Sequence, residues 1–279
     1  MLTKAAKRIQ RLGRGKLGFI RAVVAVAGLP GLLLLAPTPA HATSTNPYTG
    51  TGYDASYPQC SATGYPSGFA IIGMGGGRPF TTNSCDTQQW SIATNSTTDA
   101  APSLYFNTGY SGAYGRDITS ACKSAASVSG NVPSPPPNTS KRQASVYTQA
   151  WEIGCSEADF AYQNEPGTPA MWWADVEIGN SWSTDTNDND FTLDGLAYEM
   201  GQLATTTHDG GGFYSPPSSW ASIAGAGFKT TPLATADWQP TTSCPSTGTA
   251  GFSGSPVWVI QNGNTVVNGV TFDGDASCG

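Results

Sequence analysis

Two acids stand two residues apart in the apolar run Met171–Ile178, M-W-W-A-D-V-E-I. Side chains alternate along an extended strand. Trp173, Asp175 and Glu177 would therefore share one face, and Trp172, Ala174 and Val176 the other. Neither face reads as solvent-facing, so the pattern predicts a strand covered on both sides. Burying a carboxylate without a partner or a task is costly. A carboxylate pair at the C-terminal end of such a strand fits acid and base work on a glycosidic bond. The competing reading is an acid pair held by helix N-termini, loop amides or a cation.

The elements that must position this pair follow from patterning. Strands are predicted over Tyr48–Gln59 (with Asp54 facing inward), Phe69–Met74, Ser103–Asn107, Gly212–Ser215, Pro232–Gln239, Pro256–Gln261 and Val266–Phe272. Helices are predicted over Asp86–Asn95, capped by Asp86, over Gln149–Gln163, from about Phe191 to Thr205, and over Pro217–Ile223. Gly75-Gly76-Gly77 lacks any phosphate-loop context and reads as a wide, flexible loop. Residues 130–142, with P-S-P-P-P, read as a surface loop. D-T-N-D-N-D at 185–190 resembles a calcium loop only superficially. Asp190 and Leu196 stand where an EF-hand needs Gly and Glu, so the run is read as a helix start. Strands alternating with helices, with acids at strand ends, predict an α/β fold. About eight strands predict a single-domain, irregular (β/α)8 barrel of TIM type, with parallel strands and its site at their C-terminal ends.

Residues 1–42 read as a secretory signal. A basic stretch precedes the apolar run Ala22–Ala36, and Ala40-His41-Ala42 matches a cleavage pattern. No adjacent Arg pair is present, so a general bacterial export signal is expected rather than a twin-arginine one. The remainder, residues 43–279, would be one barrel domain, extracellular and free of the membrane after cleavage. It keeps six of the 13 basic residues against 19 acidic ones, a net charge of −13. No basic stripe remains, which excludes nucleic acid as a partner. Six cysteines, Cys60, Cys85, Cys122, Cys155, Cys244 and Cys278, in an exported chain imply three disulfides. Pairing in sequence order is expected, because each bridge would tie neighbouring loops. No C-x-x-C spacing occurs, and neither a metal nor a cofactor is expected. A monomer is expected.

The order of these pieces resembles glycoside hydrolase family 25, the lysozyme-type N-acetylmuramidases on a modified α/β barrel. Five segments carry the resemblance: Asp54-Ala55-Ser56, Asp175-Val176-Glu177, Gly212-Phe213-Tyr214-Ser215 followed by Trp220, Trp258-Val259-Ile260-Gln261, and Gly269-Val270 followed by Asp275. The resemblance implies Glu177 as general acid and Asp175 as its transition-state partner. Asp54 and Asp275 would line the pocket and tune the pair. Clustered carboxylates raise one another's pKa, which keeps one protonated while another stays ionised. Tyr105, Asn107, Trp182, Tyr214 and Trp238 become the substrate-facing candidates, and the substrate a cell-wall polysaccharide. Two segments depart from the family pattern. Gly73-Met74-Gly75-Gly76-Gly77 replaces a Lys-Ala-Thr-Glu-Gly-like run, and Tyr105-Phe106-Asn107 replaces a Tyr-His strand end. The pocket is therefore altered, and a binding protein that keeps the barrel without turnover is the second reading.

A third reading comes from Gly251-Phe252-Ser253-Gly254-Ser255-Pro256, which is similar to the nucleophile segment of trypsin-like proteases. Such enzymes also need a His and an Asp placed before it. His208 lies only 45 residues before Ser253, in the wrong local context, and strand–helix alternation argues against two β-barrels.

Overall fold

The computed structural model describes residues 45–99, 101–204 and 210–279. The expected leader and His208 lie outside them. Each predicted strand run overlaps an observed strand, although the run Val266–Phe272 spans the end of β7, the turn and the start of β8: β1 Thr51–Ala55, β2 Phe69–Gly73, β3 Ser103–Asn107, β4 Trp172–Asp175, β5 Gly211–Tyr214, β6 Asp237–Pro240, β7 Val257–Val267 and β8 Val270–Ser277. They close one barrel in sequence order, β8 returning to β1. β1 to β7 pair in parallel. The helices are α1 Asp86–Ser96, α2 Ser120–Ala126, α3 Lys141–Gln163, α4 Thr186–Ala204 and α5 Pro217–Ala224.

The all-parallel expectation is corrected at β8, which runs antiparallel to both β7 and β1. A parallel return needs a crossover of a dozen residues or more. Only Asn268 and Gly269 separate β7 from β8, and both adopt left-handed backbone, φ 51° and 81°. That is the geometry of a tight primed hairpin turn, for which Asn-Gly is the preferred pair.

Alternation along β4 builds two cores. Trp173 faces the barrel interior with Phe69, Ile71, Trp238 and Val259. Its indole N–H donates to the Tyr48 hydroxyl at 2.8 Å, so this deeply buried polar atom is satisfied. Trp172, Ala174 and Val176 face the helices, beside Leu193, Leu196 and Phe213. Both assignments follow the sequence reading.

Helix limits moved for local reasons. α3 starts eight residues before Gln149, because the Ser140 side chain accepts from Gln143 N at 3.2 Å and caps it there. α4 starts at Thr186, where Asp185 accepts from Asn187 N at 3.0 Å. Asp86 is the first residue of α1 rather than its cap; Cys85 holds the cap position. β6 starts five residues after Pro232, although Thr235 N already donates to Gly211 O at 2.8 Å.

The three disulfides pair in sequence order: Cys60–Cys85, Cys122–Cys155 and Cys244–Cys278. Among the described residues, no helix is long and apolar enough to cross a membrane.

Candidate active site

The C-terminal ends of the parallel strands converge on a cleft of about 240 Å³. The wall residues lie on the strands, except Glu177, which follows β4. β1 supplies Asp54, β3 Tyr105, β4 Asp175 with Glu177 after it, β5 Tyr214, β6 Trp238, β7 Gln261 and β8 Asp273. Strand register sets their levels. Asp175 is paired with Asn107 on one side and Tyr214 on the other, and Asp54 with Asp273.

Asp175 is 5% exposed. One carboxylate oxygen, Oδ2, accepts from Asn107 Nδ2 at 2.7 Å; the other has no hydrogen-bond partner. Asn107 is itself fixed, its Oδ1 accepting from Gly77 N at 3.1 Å. The glycine run is thus a pinned turn rather than a wide, flexible loop. Met74 N donates to Tyr105 O at 2.9 Å, and Asn83 N donates to Met74 O at 2.7 Å. A Cβ on Gly75 would lie 2.6 Å from Asn107 Oδ1, and one on Gly73 would lie 2.6 Å from the Tyr105 ring. The small residues of this run therefore make room for Tyr105 and Asn107.

Glu177 follows the strand in a turn closed by Asn180 N to Glu177 O at 3.0 Å. The Trp182 indole also donates to Glu177 O, at 2.9 Å. Trp182 packs with the helix-side clusters and is not part of the cleft lining, so it braces the Glu177 turn from behind. Across the cleft, Gln261 donates to Asp54 Oδ2 at 2.8 Å and accepts from the Tyr214 hydroxyl at 2.8 Å. Trp238 packs on Tyr214, ring centroids 4.5 Å apart, and donates downward to Asp275 Oδ1 at 3.0 Å.

Asp275 is therefore beneath Trp238, one layer below the cleft, and its place on the wall is taken by Asp273. The pleat explains this. β8 runs opposite to the others, so the residue nearer its start lies nearer the mouth, level with Asp54. Asp273 and Gln261 were not among the predicted site residues. The F-D-G-D alternation, which puts both aspartates of β8 on one face, was the available signal.

Burial pushes the Asp54 carboxyl up to about 7; Asp273 and Glu177 add repulsion, and the Gln261 hydrogen bond opposes it. Burial also raises Asp175 to about 7, with the Glu177 charge adding and the Asn107 hydrogen bond opposing. Glu177 and Asp273 are raised by partial burial. Asp275 is held well above the carboxylate range by burial and by the charge of Asp54. Such a set titrates as a cluster and retains protons near neutrality while other members ionise. The phenols of Tyr105 and Tyr214 are raised by burial beside these acids and stay neutral.

Ser253 is fully buried outside the cleft. Its hydroxyl donates to Asp237 Oδ1 at 2.6 Å and its N–H to Asp237 Oδ2 at 2.9 Å. The Gly/Ser segment is thus tied to the base of β6, inside a single barrel rather than between two.

No protein-family model matches the chain, and no curated protein matches it. Among solved structures it is similar to a muramidase from Trichobolus zukalii, with a TM-score of 0.49 and 16% identity over 83% of this chain and 94% of that one. It is also similar to a family GH25 lysozyme from Aspergillus fumigatus, at 0.46 and 11% over 82% and 94%. A third likeness is to the modular autolysin LytC from Streptococcus pneumoniae, in complex with a synthetic peptidoglycan ligand, at 0.42 and 10% over 81% and 46%. The functional reading rests on the cleft's own residues.

Proposed function

We propose that the protein is an exported glycoside hydrolase that cleaves a cell-wall glycan by carboxylate acid catalysis. The observation that carries this reading is the meeting of Asp54, Asp175, Glu177 and Asp273 between the aromatic walls Tyr105, Tyr214 and Trp238. Glu177, the more accessible member of the D-x-E pair, delivers a proton to the glycosidic oxygen. Asp175, held by Asn107, supplies the negative charge that stabilises an oxocarbenium-like transition state. Asp54 and Asp273 keep the cluster's pKa values high, and Asp275 contributes from below. Tyr214 and Trp238 offer apolar surface to a sugar ring, and Gln261 holds Tyr214 and Asp54 in register. Export follows from the residue 1–42 leader, and three disulfides suit an oxidising compartment. The barrel acts as a monomer without a cofactor.

The test is release of reducing ends from purified peptidoglycan and from chitin-type oligosaccharides. Hydrolysis by the wild type and its loss in Glu177→Gln support the reading. No release from any glycan by the disulfide-intact protein would sink it, leaving a barrel that binds without turnover.

A further inference from the structure

Charge is divided unevenly along the chain. Residues 43–279 hold six basic side chains. Five of them, Arg78, Arg116, Lys123, Lys141 and Arg142, fall in the loop after β2 and in the excursion between β3 and the middle of α3. In those stretches, 76–81 and 108–152, the acids are Asp117 and Glu152. Elsewhere Lys229 stands against the other 17 of the 19 acids. A cluster of one sign on a chain of the opposite net charge makes a local field of its own.

Contacts join the segments that carry these cations into one flank. Gly77 N donates to Asn107 Oδ1 at 3.1 Å, which sets the Arg78 loop beside the cleft mouth. Phe80 packs on Tyr114, ring centroids 5.6 Å apart, and ties that loop to the 3₁₀ turn Gly112–Asp117, which carries Arg116. Between this turn, α2 and α3 lies a cavity of about 360 Å³, whose wall includes Gly115, Lys123, Ser145, Val146, Gln149 and Glu152. Lys141 and Arg142 stand four residues before Ser145 and Val146 and so head the same face of α3. That face runs about 16 Å from Lys141 to Glu152 at 1.5 Å per residue. All five cations are exposed. Arg116 meets Asp117 at 3.4 Å with its side chain still 81% exposed, and this is the one ion pair among the described residues. The flank offers no exposed ring for bases to stack on, as a nucleic-acid single strand requires; the exposed aromatic Tyr57 follows β1.

We propose that this flank binds a linear phosphodiester polymer of the cell wall, held by Arg78, Arg116, Lys123, Lys141 and Arg142; the wall as its location rests on the function proposed above. A single carboxylate would occupy one guanidinium, whereas cations spread over three segments match a charge that repeats. The free oxygens of a phosphodiester fit the arginine fork. Ser145 and Gln149 on the cavity wall supply hydrogen bonds to hydroxyls between the phosphates. A polyanion held there stays clear of the acidic cleft, whose carboxylates repel it. The barrel would thus be brought to the wall by a different polymer from the one it cuts.

The probe is poly(glycerol phosphate), compared with polyglutamate and a single-stranded oligonucleotide of equal charge. Binding is measured by calorimetry for the wild type, for the double variant Lys141→Gln/Arg142→Gln, for Arg116→Gln and for Lys229→Gln. The last removes the same charge away from the flank, where Lys229 lies against Gly254 ahead of β7. The expected result is binding of poly(glycerol phosphate) that weakens between about 0.05 M and 0.5 M salt. It should fall at least about tenfold in the double variant, less in Arg116→Gln, and not at all in Lys229→Gln. Circular dichroism confirms folding, and Arg116→Gln repeats the test on a separate segment. No binding at low salt, an equal loss in Lys229→Gln, or equal or tighter binding of polyglutamate or the oligonucleotide overturns the proposal. The readout is binding alone, so its failure leaves the glycosidase reading standing, and a cleft without turnover leaves this one.

Discussion

Replacing Asn107 with alanine removes the donor that holds Asp175 Oδ2 at 2.7 Å. A hydrogen bond to a charged group contributes about 1.5–3 kcal/mol. At about 1.4 kcal/mol per pKa unit, its loss moves Asp175 up by about 1–2 units. The sign follows from the chemistry: the bond favours the ionised form, so its removal favours the protonated one. Asp175 already lies at about 7, so the variant would be largely protonated at neutral pH. If Asp175 must be ionised in the transition state, the acid limb of the kcat/KM profile shifts to higher pH by the same amount. The rate at about pH 6 then falls about 10–100-fold and partly recovers as pH rises through the shifted Asp175 pKa. Asn107→Asp should shift the limb in the same direction, because a carboxylate there adds repulsion. The assay is the full pH–rate profile of both variants, with circular dichroism to confirm folding. A uniform drop at every pH would show that Asn107 contacts substrate rather than setting Asp175, and the argument would fail.

Two further outcomes follow from buried acids. Asp54, Asp175, Asp194 and Asp237 are each raised to about 7 by burial. The folded chain therefore keeps protons that the unfolded chain releases between about pH 4 and 7, so stability falls as pH rises through that window. Tm at about pH 8 should lie at least about 5 °C below that at about pH 5; a Tm that rises instead would contradict the burial assignments. Ser253→Ala removes one of the two hydrogen bonds that Asp237 accepts from Ser253 and should cost about 1–3 kcal/mol of stability in denaturant titrations. Glycan hydrolysis should persist in that variant, and complete loss of activity without loss of stability would revive a serine nucleophile.

Much of the barrel was legible because strand alternation and helical stripes are local signals. Trp172 and Trp173 were assignable to opposite faces from the pleat alone, and β3 was bounded to the residue. The antiparallel β8 was missed although Asn268-Gly269 announces it, because strand–helix alternation elsewhere favoured a parallel continuation. That miss carried into the site. With β8 reversed, Asp273 faces the cleft at the level of Asp54, and Asp275 falls one layer down. Trp182 was placed among the sugar-facing aromatics by residue type. Its anchoring of Glu177 O is a backbone contact that no spacing reveals. The link from Gly77 through Asn107 to Asp175 is likewise tertiary, joining the ends of β2, β3 and β4.

The central claim is that the carboxylate cluster hydrolyses a glycan with Glu177 as the acid. The most direct test is single-turnover release of reducing ends from wall glycan and from chitin-type oligosaccharides, with wild type beside Glu177→Gln. Substituting an amide keeps size and hydrogen bonding but removes the transferable proton. Hydrolysis by the wild type and a fall of at least about 10²-fold in the variant, with glycan binding retained, is the predicted result. Undiminished turnover by Glu177→Gln would contradict the assignment of the acid, and a wild type inert on every glycan would contradict the enzyme.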